Sequence, residues 1–158
     1  MQKIYYAAHT YMIAGLISGL FYREFTKLEN YTGDTQLSIV HAHLLALGML
    51  FHLILLVLEK QFALSASPLF TWSYWTYNAG VTLTVTLMTI HGCRTVLGHE
   101  TGATTSALAG LGHVVLTIGL ILFFINLGKR ITEHNGRPSS IAIHAQQDDE
   151  TTARGVTT

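Results

Sequence analysis

No Asp, Glu, Lys or Arg falls inside four stretches of this chain, about residues 4–22, 37–58, 70–92 and 104–127. Charge gathers between them instead: Arg23-Glu24 closes the first stretch, Glu59-Lys60 the second and Lys129-Arg130 the fourth. Each stretch is about 19 to 24 residues long, which as a helix rising ~1.5 Å per residue crosses a hydrocarbon core of ~30 Å. Trp72, Tyr74, Trp75 and Tyr77 crowd the start of the third, as aromatic side chains do at the headgroup level. The pattern predicts an all-α fold, a four-helix transmembrane bundle forming one domain over residues 1–130. Beyond Arg130 the chain turns to Asn135-Gly136-Arg137-Pro138-Ser139-Ser140 and Gln146-Gln147-Asp148-Asp149-Glu150. So little apolar surface predicts a disordered polar tail over 131–158.

Composition alone, 49% hydrophobic and 11% charged, fits a small soluble domain as well as a short membrane protein; the clustering of charge decides for the membrane. Arg23, Glu24 and Phe25 stand where a signal peptidase would need small residues, so the first stretch is read as retained. Four crossings place both termini on one side of the bilayer. That side carries Lys3, Lys60, Lys129 and Arg130 against Arg23, Lys27 and Arg94 on the other, so the positive-inside rule makes the termini cytoplasmic. A formal charge of zero offers no basic face for nucleic acid. The single cysteine, Cys93, can neither close an intrachain disulfide nor build a thiolate metal site alone.

Histidine changes the picture. Nine occur, and His9, His41, His43, His52, His91 and His113 fall inside the predicted spans, where an ionisable group is costly and points to function. At about 100° per residue, His41 and His52 share a face of the second helix with Gly48, while His43 is turned away by about 200°. By depth, His41, His43, His91 and His113 form an outer layer, and His9 and His52 a candidate second layer nearer the termini. Imidazoles from different helices at one level can hold a haem iron or a metal ion. Gly48 on the His41 face and Gly110 near His113 would let backbone approach a flat macrocycle. Arg94 and Arg23 stand at the outer level, where propionates would emerge.

Plainer readings stand beside these. Gly15, Gly19, Gly48, Gly80, Gly110, Gly112 and Gly119 can be helix–helix contacts, a lone histidine can bond a neighbouring helix, and the arginines can be interface anchors. Thr82, Thr84, Thr86 and Thr89 suit bonds to backbone carbonyls. His99, His134 and His144 fall in loop and tail and are expected to be solvated.

Phe21-Tyr22-Arg23-Glu24-Phe25-Thr26-Lys27, His41-Ala42-His43-Leu44-Leu45-Ala46-Leu47-Gly48-Met49 and Ala109-Gly110-Leu111-Gly112-His113 together resemble a family of small four-helix bacterial membrane proteins of unknown function. The likeness covers about residues 4–128. Some members are linked to haem binding and haem tolerance, which implies a haem b protein of the bacterial plasma membrane that sequesters or senses haem, a binding role more than an enzymatic one. The His-Ala-His-Leu stretch is also similar to haem-bearing helices in subunit I of haem–copper and nitric-oxide reductases, but the further histidines of their second metal centre are missing here. The expected ligands are His113 with His41 or His43, holding one haem, or two if His9 and His52 hold another; His91 is a weaker candidate. Two other functions remain open: an electron-transfer cytochrome b exchanging electrons with quinone, and a transition-metal carrier, disfavoured because no carboxylate lies inside a span. A homodimer is expected, since four short helices enclose a macrocycle poorly. A haem-export partner is a further expectation.

Overall fold

The computed structural model describes residues 1–99 and 103–136, and of 103–109 the backbone alone. Four helices run in order: α1 (Gln2–Leu28), α2 (Leu37–Phe62), α3 (Pro68–Val96) and α4 (Ala103–Asn135). No strand occurs among the described residues. Each helix outruns its apolar stretch because charged residues at helix ends can stay helical while reaching solvent. One consequence is that 131–135, expected in the tail, continue α4; the tail from 137 to 158 lies outside the described residues.

Three helices, α1, α2 and the Gly110–Asn135 part of α4, are long and apolar enough to cross a membrane. α3 has the length, 29 residues, but not the hydropathy, because its sequence spends positions on Trp72, Tyr74, Trp75, Tyr77, Asn78 and seven threonines. The sequence treated it as the equal of the others. Its buried residues, Ser73, Tyr77, Gly80, Val81, Thr84, Met88, Gly92 and Val96, recur every three or four positions, a stripe that faces the bundle interior.

The helices form two hairpins, α1 with α2 and α3 with α4, and α3 also packs on α2. Small residues set the close approaches. A Cβ on Gly80 would lie 2.5 Å from the Leu116 nitrogen, and one on Gly119 2.6 Å from that of Tyr77, so the α3 and α4 backbones are nearly in contact. Gly112 meets Thr84 on the same seam. Gly15 is filled by Leu45 and Gly48 by the Tyr11 ring, which seats α1 on α2. Between α2 and α3 the Thr35 hydroxyl donates to the Gly92 carbonyl at 3.0 Å.

The α2–α3 connection is tightly braced. Ala63 ends α2 in the left-handed conformation, a 3₁₀ turn follows over Leu64–Ala66, and Ser67 caps α3 ahead of Pro68 at its first turn. Glu59, expected just outside the second span, is instead inside α2 and buried. Its carboxylate accepts from the Ser65 amide at 2.8 Å and from the Ser65 hydroxyl. Arg130 donates from Nε to the Phe62 carbonyl at 3.1 Å, and the fully buried Asn126 donates to the Leu64 carbonyl at 3.3 Å. The absence of carboxylates from the spans, used above against metal carriage, therefore does not hold for α2.

Candidate functional site

The midsection of α2 is not an ordinary α-helix. Over Leu44–Leu50 the backbone is a π-helix, and the Phe51 amide reaches back to the Ala46 carbonyl. A π-segment inserts a residue into the helical ladder and leaves a carbonyl without its usual partner. Within this segment the Leu47 carbonyl accepts from the Tyr77 hydroxyl of α3 at 2.8 Å. One turn further on, the Gly48 carbonyl accepts from Nδ1 of His52 at 2.6 Å.

His52 is fully buried and its chemistry can be read from its partners. A carbonyl only accepts, so Nδ1 carries the proton and Nε2 holds the lone pair. The Asn78 amide of α3 donates to that Nε2 at 3.2 Å and to the Tyr74 carbonyl at 2.8 Å, which fixes the amide's orientation. The Asn78 oxygen then accepts from the Tyr11 hydroxyl of α1 at 2.8 Å. The resulting chain, Tyr11 to Asn78 to His52 to Gly48, ties three helices together at one level. Aromatic rings close around it: Tyr11, Phe51, Tyr74 and Tyr77 have centroids 5.3, 5.7, 5.8 and 6.0 Å from that of His52.

His9, expected to form a second layer with His52, stands apart from this cluster. His9 is exposed and stacks on Tyr5 with centroids 6.2 Å apart; it is not among the neighbours of the His52 ring, whose two nitrogens are both engaged. Gly48 likewise provides no room for a macrocycle. A Cβ there would lie 2.4 Å from the Tyr11 Cγ, so its role is contact between α1 and α2. Gly110, by contrast, has open space beside it.

The outer residues are dispersed. His41 is half-buried, rests against Gly19 of α1, and buries an Nδ1 with no partner. His91 on α3 buries an unpartnered Nδ1 as well. His43 donates from Nδ1 to the Ile39 carbonyl at 3.0 Å. His113 is exposed on α4, which packs chiefly along α3. Arg23 is exposed and faces Glu24 at 3.7 Å, and Arg94 is exposed at the end of α3. No group of three or more His, Cys, Asp or Glu is placed to hold a metal ion among the described residues.

Of the threonines, Thr89 bonds the Val85 carbonyl as expected, whereas Thr84 buries an unpartnered hydroxyl against Gly112. The sequence reading missed Tyr11 and Asn78 because it built its candidate site around the histidines. The available signal was Asn78 itself, an amide inside an apolar stretch and four residues after Tyr74.

Two concavities open beside the cluster. One, about 600 Å³, lies along α1 and α3 and is lined by Tyr11, Trp75, Asn78 and Thr82 among others. The second, about 570 Å³, is formed by Met1–Ile4, Ser65, Phe70, Thr71 and Tyr74.

Residues 1–130 match the family described as protein of unknown function (DUF2871). No curated protein and no solved structure matches the chain.

Proposed function

We propose, for a chain that belongs to the DUF2871 family of unknown function, a bacterial plasma-membrane protein with four membrane-crossing helices that binds b-type haem through its outer histidines. The membrane part is supported by what the helices leave uncovered. Leu16, Ile17, Leu20, Val57, Ile121, Phe124 and Ile125 are each more than half exposed. Such a girdle far exceeds the scattered apolar residues of soluble monomers and is the surface lipid covers. Lys3, Lys60, Lys129 and Arg130 at the terminal side support a cytoplasmic location for both termini under the positive-inside rule.

The haem part rests on one observation, the nitrogen chemistry of the outer half. An imidazole whose Nδ1–H is held by a backbone carbonyl has its Nε2 oriented to meet a metal, and His43 has that hydrogen bond. The buried Nδ1 atoms of His41 and His91 are orphans that a bound group could satisfy. In this reading His43 or His41 together with His113 would hold the iron, and Arg94 and Arg23 would pair with the propionates. Haem supplies an iron centre that can be reduced and that absorbs strongly. Because His113 is exposed and Gly48 is closed by Tyr11, the macrocycle would lie on the outer surface of the bundle, and a second copy of the chain would cover its far face. The role that follows is haem sequestration, tolerance or sensing.

The decisive measurement is an absorption spectrum of the detergent-purified protein with added haemin, before and after dithionite. A Soret band with reduced α and β bands is expected, lost in His113→Ala and weakened in His43→Ala but unchanged in His99→Ala. A protein that takes up no haemin, or whose His113→Ala variant binds as wild type does, overturns the assignment.

A further inference from the structure

We propose that the groove between α1 and α3 binds the head group of a lipid-soluble quinone. The inference needs the membrane reading but not haem. It starts from α3's lower hydropathy. Along this groove α3 presents Trp75, Asn78, Thr82 and Thr86, with Tyr74 beside them and Tyr11 contributed by α1. Hydroxyls facing hydrocarbon are unfavourable unless something meets them.

The shape and chemistry select the ligand. At about 600 Å³ the groove is in the range of sites for small organic molecules. It opens on the outside of the bundle at the depth of the His52 cluster, so a ligand would enter by partitioning into the bilayer. Aromatic walls at Tyr11, Tyr74 and Trp75 favour a flat conjugated ring, and Trp75 has 64% of its surface uncovered to offer it. The Thr82 and Thr86 hydroxyls lie one turn apart on the same helix and suit a ring bearing carbonyl oxygens. Thr82 also stands beside the Tyr11 side chain, so a ligand carbonyl there would join the chain of bonds from Tyr11 through Asn78 to His52. A phospholipid acyl chain would use the walls but none of the hydroxyls.

The test is titration of the haem-free full chain in nanodiscs with a short-tailed ubiquinone and a short-tailed menaquinone, read by Trp fluorescence. Trp72→Phe leaves Trp75 as the sole tryptophan. Saturable quenching is expected, with affinity reduced about tenfold in the Thr82→Val/Thr86→Val double variant and lost in Ala79→Leu, which fills the groove. Both variants should retain the wild-type circular dichroism spectrum. Quenching that rises linearly without saturation, or that is equal in the wild type and both variants, overturns the proposal. So does an Ala79→Leu variant that changes from dimer to monomer with its quinone titration unaltered, since the groove would then be covered by a second copy. A chain that stays soluble without detergent refutes the membrane reading separately.

Discussion

Gly48→Ala tests whether the space beside the π-segment belongs to Tyr11. The added Cβ would sit 2.4 Å from the Tyr11 Cγ and 2.6 Å from its Cβ and Cδ1, against the ~3.5–4.0 Å of a normal carbon contact. Those atoms are the root of the side chain, so a rotamer change cannot move them clear; α1 must shift by about 1 Å. Overpacking of this kind costs ~1–3 kcal/mol, and the severity here points to the upper end. Replacing glycine by alanine within a helix returns ~1 kcal/mol. The net expectation is a loss of about 2 kcal/mol, with the Tyr11–Asn78 hydrogen bond weakened because Tyr11 is displaced. Gly110→Ala is the control, because a Cβ there meets nothing within 4 Å, and it should be neutral or stabilising by up to ~1 kcal/mol. Unfolding by SDS in mixed micelles, followed by circular dichroism, measures both. Were Gly48→Ala as stable as Gly110→Ala, the packing of Tyr11 into the α1–α2 seam would be wrong and the space would again be open to a ligand.

Asn78→Ala removes the donor to His52 and to the Tyr74 carbonyl and the acceptor of the Tyr11 hydroxyl; at ~0.6 kcal/mol per hydrogen bond within membranes, the same assay should show a loss of about 2 kcal/mol, and a neutral variant would refute the network. Tyr77→Phe leaves the Leu47 carbonyl without its donor and should cost ~1–2 kcal/mol while preserving the stacking on Phe51; no change would mean that the π-segment does not depend on that hydroxyl. Ser65→Ala removes the hydroxyl that donates to the Glu59 carboxylate but leaves the backbone amide donor, so ~1 kcal/mol is expected, and Glu59→Leu, which removes the acceptor, should be the more damaging of the two. In haemin titrations at fixed salt, Arg94→Lys should weaken binding less than Arg94→Ala because it keeps the charge and loses only the guanidinium fork; wild-type affinity in both would make Arg94 an interface anchor.

Helix number, order and approximate position follow from the sequence because hydrocarbon crossing imposes length and excludes charge, and both are visible residue by residue. The glycines that become contacts were visible too, but not which contact each makes. Gly48 and Gly110 look alike in the chain; one is filled by Tyr11 and the other is open, because occupancy depends on the helix that arrives opposite. The histidine layers were derived from depth and a uniform 100° per residue, and that arithmetic fails across Leu44–Leu50, where the π-segment changes the angular relation between His41 and His52. Depth also says nothing of neighbours, so His9 and His52 could share a level without meeting. Glu59 was placed outside a span because charge normally ends one, and only the turn that folds Ser65 back onto its carboxylate lets it stay buried. The sequence by itself determined the apolar helices and the inventory of imidazoles, since both are properties of single segments. Which polar side chains converge, Tyr11, Asn78 and His52 from three helices, was decided by tertiary packing, because hydrogen bonds between segments distant in sequence leave no periodic trace in any one of them.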